Sequence, residues 1–425
     1  MEFAALAVLL LAAVVSSTPG EHSTRDSSSQ EATLIFEHHE KDTEYNQVAI
    51  SRKGYVAAST GVFTPEIVEV YQIKADHATR IIVEKFTSGY KRPLGIVAMS
   101  KDSTICVGIL NPKQDIYTFV YIWDVQNSSN PVWYRQEKYM VAVAAYVAAD
   151  GSVITLLERK FVDYKNETFI TMLSNTGELL GRTPLGKFDN QSVIGVSPDG
   201  NYVAVITGSV LTIHQYIQGK AGRTFEIEMD QHSNFVVVSA CGEFVVVKAV
   251  RCALVYRKSP GLNLKYTLTT LEGPDGFNLF AMAFSPEGTR LAITWRGEYP
   301  QIQNSLVVYD LPGLYSVYSY VFPRLKWNLD NDPVAVALSS DGEYVAIGTL
   351  GTPDDLGQIN GTQQFQVFKV GEPQPVLKKF TPGSVVSVDV MQNSDGGVYA
   401  VAADSQQFND VTAGGDIFIY NIPKA

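Results

Sequence analysis

The sequence predicts an all-β chain: eight blades of four antiparallel strands forming a β-propeller, or seven if one repeat serves as a cap. Three observations carry this. A strand–turn–strand unit recurs eight times along the chain. Its strands are rich in Val, Ile, Tyr and Phe, and no long helical period appears anywhere. The last unit is one strand short, and a segment near the N-terminus can supply what it lacks.

The turns are the clearest element. They read Ser51-Arg-Lys-Gly54, Ser100-Lys-Asp-Ser103, Ala148-Ala-Asp-Gly151 and Ser197-Pro-Asp-Gly200. They continue as Ser239-Ala-Cys-Gly242, Ser285-Pro-Glu-Gly288, Ser339-Ser-Asp-Gly342 and Asn393-Ser-Asp-Gly396. The spacing is roughly 42–54 residues, the period of propeller blades. Pro presets φ at the second position, Asp or Asn caps nearby amides, and Gly takes the positive φ that reverses the chain. An inner strand precedes each turn, as in Val141–Val147 or Phe280–Phe284. A strand of small and β-branched residues follows it, as in Tyr202–Ile206 or Tyr344–Ile347. A third strand comes after a loop, as in Phe119–Asp124 or Ser305–Asp310. The final unit stops after its third strand, 416–420, and the segment 32–38 is placed to pair with it. Such pairing joins first and last segments in one blade and leaves no open sheet edge.

The segments of the form hxhSPDGxxhAh, as at 194–205, and the pairs Trp123-Asp124 and Tyr309-Asp310 resemble the WD40-like and quinoprotein-like β-propeller superfamily. The resemblance runs from about residue 31 onward and implies architecture only. The Gly-His pair that opens a typical WD40 repeat is missing, and most repeats lack the terminal Trp-Asp. The chain resembles a divergent member.

The first 17 residues read as a signal peptide. Ala4 to Val15 is an apolar run shorter than the roughly 20 residues a membrane span requires, and Val15 and Ser17 suit cleavage after Ser17. The acidic Glu2, with no Lys or Arg before the run, departs from the usual pattern. Residues 18–30 form a polar, Ser-rich leader expected to be disordered, and 31–425 a single propeller domain. Sequons at Asn127, Asn166, Asn190 and Asn360 fit the secretory route, so an extracellular glycoprotein is expected. The net charge of −11 argues against nucleic acid and anionic membrane as partners. The three cysteines, Cys106, Cys241 and Cys252, cannot all pair internally. A Cys241–Cys252 bridge is left open, and at least two of the three are expected to be buried apolar groups.

Chemistry is sought on the face opposite the tight turns. Long second-to-third connections are expected there at 111–118, 158–167, 296–304, 351–364 and 404–416. Asp354 and Asp355, with Asp404 and Asp410, are loop carboxylates that can supply oxygen ligands to Ca²⁺, although solvated acids capping turns is the preferred reading. Trp295 and Arg296, an aromatic beside a guanidinium, can bind sugar or peptide, against a simpler role in packing a strand end. No histidine spacing suggests zinc, and no residues form a nucleophile elbow or a phosphate-cradling loop. Two readings follow. One is a secreted monomeric module that binds a protein or glycan through its loop-rich face. The alternative is an extracellular lactonase- or dehydrogenase-like propeller enzyme with a metal or cofactor at the channel mouth.

Overall fold

Seven of the eight repeat turns close on glycines with φ between 61° and 80°, the left-handed region in which a Cβ is unfavourable. In each of them the glycine N–H donates to the carbonyl of the first turn residue, as from Gly200 to Ser197 at 2.8 Å and from Gly342 to Ser339 at 2.9 Å. The first-position serine has a second task. Its buried hydroxyl accepts the amide that opens the next strand: Tyr202 N to Ser197 Oγ at 2.9 Å, Phe244 N to Ser239 Oγ at 2.9 Å, Tyr344 N to Ser339 Oγ at 3.0 Å. Six of the eight turns place a serine acceptor in this way where the turn hands over to a strand, while Ala148 and Asn393 open the other two.

The computed structural model describes residues 32–424, except for 42–43, 62–65, 87–93, 114–116, 139, 163–164, 186–192, 218, 231–232, 260–265, 275–276, 298–303, 324–331, 351–363 and 409–410. The strands form eight four-stranded antiparallel blades, at 44–86, 94–138, 140–184, 193–228, 236–272, 277–321, 332–380 and 384–422. The eighth blade takes Thr33–Glu40 as its outer strand, paired against Val411–Ile422 from Thr33↔Asn421 to Glu40↔Gly415, with a register shift between Leu34 and Phe36. The ring is a propeller of eight blades, so the seven-blade alternative is set aside. No described helix is long and apolar enough to cross a membrane.

Apolar side chains of neighbouring blades interleave to make the core. Blade seven packs on blade eight through Phe365, Val367, Val385 and Phe418, and blade eight on blade one through Ile417, Ile419, Val56 and Tyr71. The inner strands still have an edge facing the next blade, and side chains cover it. Ser387 and Asp389 of blade eight accept from Val48 N at 3.1 Å and Ile50 N at 2.8 Å, and Gln47 accepts from Val97 N at 3.2 Å. Thr294 of blade six donates to Pro333 O at 3.0 Å. These bonds satisfy backbone groups that a radial sheet would leave unpaired, and they fix each blade against the next.

Two expectations are corrected. The connections at 111–118, 158–167 and 404–416 are strand hairpins rather than long loops. Ile105–Lys113 runs almost directly into Tyr117–Asp124, Val153–Val162 into Lys165–Ser174, and Val398–Phe408 into Val411–Ile422. Pairing across the hairpins, as from Glu158↔Phe169 to Val162↔Lys165, satisfies backbone that a loop would leave to water. Only Cys106 of the three cysteines is buried; Cys241 is exposed and Cys252 intermediate, and all three are free. Cys241 sits in the tight turn at φ 58°, whereas Cys252 opens the next strand at the far end, where Ala253 pairs with Lys248. A five-residue strand separates the two, a reach of roughly 17 Å, so the bridge is closed to them.

Candidate functional site

The face opposite the turns is steeply uneven. Second strands start two residues after the turn glycine or its counterpart in seven blades, and one residue after it in blade one, so their lengths measure height above a nearly common base. They run five residues in blade five (Phe244–Lys248) and six in blade four (Tyr202–Thr207), but ten in blade three (Val153–Val162) and eleven in blade eight (Val398–Phe408). At about 3.3 Å per residue the tall hairpins rise roughly 15–20 Å above blade five. Blades four and five thus form a low side, where Phe235 and Val250 are exposed at 37% and 64%. Beside them Lys248 donates to Phe280 O at 3.2 Å and lies over the Phe280 ring at 5.4 Å; burial lowers the pKa of its amine.

The central channel forms a cavity of about 670 Å³ lined by the inner strands of blades one to six. Its wall is built largely of side chains such as Val97, Val143, Val237 and Phe284. Polar lining groups are already engaged. Gln47 accepts from Val97 N, and Tyr146 Oη donates to Ile194 O at 3.1 Å, with burial pushing that phenol up to about 12. The turn-face end is strapped. Arg52 of blade one pairs with Asp102 of blade two at 3.4 Å and reaches Glu287 of blade six at 3.7 Å, while Lys101 pairs with Asp389. Backbone bonds continue the closure from turn to turn: Arg52 N to Lys101 O at 2.7 Å, Asp102 N to Ala149 O at 2.8 Å and Ala149 N to Pro198 O at 2.7 Å.

No protein-family model and no curated protein matches the chain. Among solved structures it is similar to the beta-propeller domain of Myceliophteria thermophila Cps50 (Swd1), at 13% identity over 92% of this chain and 99% of that one, with a TM-score of 0.48. It is also similar to Kuenenia stuttgartiensis hydrazine synthase, at 13% identity over 72% and 91%, with a TM-score of 0.45. The propeller rests on the strand pairing described above.

The structure separates the residues that the sequence grouped. Asp354, Asp355 and Asp410 lie outside the described residues. Asp404 is within a strand and fully buried; its two oxygens accept from Gly383 N at 2.9 Å and Asp416 N at 2.7 Å. Burial first, and then the Asp416 charge, raise its carboxyl to about 7. A carboxylate so enclosed anchors the entry to the last inner strand and is closed to a cation on the face. Trp295 takes the packing position preferred for it over a ligand contact: it is fully buried within Arg290–Gly297 and packs so tightly under Gly273 that a Cβ there would strike the indole. Arg296 is half-exposed, pairing with Asp332 at 3.2 Å and stacking over Phe280 at 5.9 Å. Of the sequons, Asn127 is exposed on the turn face and donates to Asp124 Oδ2 at 2.5 Å. Asn166 lies at the tip of the blade-three hairpin, while Asn190 and Asn360 lie outside the described residues. Among the described residues, no group of three or more His, Cys, Asp or Glu is placed to hold a metal ion.

Sequence reasoning missed the buried carboxylates. Glu69 accepts from Tyr45 Oη at 2.7 Å, Tyr71 Oη at 2.6 Å and Arg80 at 2.7 Å; burial and this carboxylate push both phenols up. Glu158 is fully buried, paired with Arg135 of blade two and with Arg182 at 3.1 Å, and accepts from Thr171 at 2.5 Å. The signal was present in one form: an acid inside a middle strand, Glu69 in the third of blade one and Glu158 in the second of blade three, with arginines on the flanking outer strands.

Proposed function

We propose that the chain is a secreted binding module that engages a protein or glycan across its loop-rich face, centred on the low side over blades four and five. The observation that supports this most is the difference between the two faces. The turn face is uniform and strapped by ion pairs, whereas the described part of the opposite face is tall at blades three and eight and low at blades four and five, where Phe235 and Val250 are exposed. Exposed apolar groups on a rigid rim beside cationic side chains suit a partner that buries an anchor residue there. Secretion is supported by the apolar leader at 1–17 and the sequons.

The test is expression of the full chain in cells with a secretory pathway. The expected result is protein in the medium beginning at Thr18 and shifted in mass by N-glycosidase. Retention in the cell with residues 1–17 intact would refute the secretory part. The purified protein is then applied to arrays of extracellular proteins and glycans. Binding that the double variant Phe235→Glu, Val250→Glu loses supports the low rim; binding that it leaves intact, or no retention on either array, refutes it.

A further inference from the structure

We infer that the central channel is a second ligand site, one that takes an uncharged lipophilic small molecule entering from the loop-rich face. This goes beyond the reading of the rim, with which the cavity shares Phe235 but not Val250. The cavity, at about 670 Å³, falls in the range of roughly 300–1,000 Å³ typical of small-molecule sites. Six inner strands present Val, Ala, Ile, Met and Phe to it, and Leu157 of a second strand joins them. Apolar surface facing water is unfavourable, and an occupant that displaces the water recovers that free energy.

The polar lining decides the charge of the occupant. Lys101 at the turn-face end is neutralised by Asp389, and the hydrogen-bonding groups of Gln47 and Tyr146 are turned to the backbone of the next blade. A charged ligand moved into this space would lose hydration without gaining a counter-charge from the deep wall. The pairs made by Arg52 reach across the turn-face end from blade one to blades two and six, so entry is assigned to the opposite mouth, toward which a polar end of the ligand would point. That end faces the mouth, where Arg159, which pairs with Val141 near the start of the inner strand, and Asn234 line the cavity. A mainly hydrocarbon or aromatic molecule with a single hydroxyl or carbonyl fits these constraints.

The experiment uses the full secreted chain and the uncharged fluorophore N-phenyl-1-naphthylamine. Saturable one-to-one enhancement is expected for the natural sequence. Val143→Trp, which fills the cavity, and Val237→Asp, which places a charge in its wall, should each weaken binding at least tenfold with circular dichroism unchanged. A second measurement does not depend on the variants folding. An uncharged aryl diazirine, photolysed with the protein, should label peptides covering 140–147, 193–198 and 234–238, and excess fluorophore should suppress that labelling. Absence of saturable binding, or labelling confined to outer strands, overturns the inference. Array binding at the rim without fluorophore binding would sink this site alone, and the reverse would sink the rim alone.

Discussion

Asp404 turns the packing of the last blade into a measurable pH dependence. Its carboxyl rises from the ordinary 3.8 to about 7, because burial and the Asp416 charge outweigh the two amides that it accepts. A carboxyl with a raised native value holds its proton in the folded state over a range where the unfolded chain has already lost it. The native state therefore binds more protons between about pH 4 and pH 7, and stability falls as pH climbs through that window. About three pH units at 1.36 kcal/mol each place the full change at roughly 4 kcal/mol. Asp404→Asn removes the titration. Its amide oxygen can accept one of the two backbone N–H groups, while its NH₂ opposes the other, a mismatch of about 1–3 kcal/mol. At pH 5 the variant should be the less stable protein. By pH 8 the natural chain has lost its advantage, and the variant should match or exceed it. Urea midpoints at both pH values, followed by fluorescence of the buried Trp123 and Trp295, give the difference directly. A stability gap between the two proteins that stays constant within about 0.5 kcal/mol from pH 5 to pH 8 would refute the raised carboxyl.

Two glycines with nearly equal φ separate clash from backbone strain. Gly242→Ala, at 61° against the Tyr202 ring, should cost about 2–4 kcal/mol, and Gly208→Ala, at 59° with open space around it, only about 1 kcal/mol, both by chemical denaturation. Trp295→Ala should destabilise by about 3–5 kcal/mol while leaving ligand affinity at the rim unchanged at a temperature where the variant is folded. In native protein, Cys241 should react promptly with a thiol reagent, whereas Cys106, enclosed and with burial pushing its thiol up to about 12, should react only after unfolding. Glu158→Ala should cost about 3–5 kcal/mol, because it removes the buried carboxylate that Arg135 and Arg182 share and leaves a cavity in its place; the measurement is the same urea midpoint.

The repeat was legible because its physics is local. Turn reversal needs glycine at a positive φ and a short acceptor at the first position, and strand pairing needs β-branched and aromatic residues, so Ser197–Gly200 and its seven counterparts announce blade number in one dimension. The closing strand was legible for the same reason, since the incomplete final unit lacked a partner of a recognisable type. Site chemistry depends on distances between blades, which no local pattern contains. Asp404 reads as a loop acid until Gly383 and Asp416 are seen to enclose it, and Trp295 as a rim aromatic until Gly273 is seen above it. Only the tertiary structure brought Arg52 across to Glu287, far apart in sequence and drawn from blades one and six. The amino-acid sequence determined how many blades form and how they close. Ring closure decided which side chains face water, which face one another, and where the channel cavity lies.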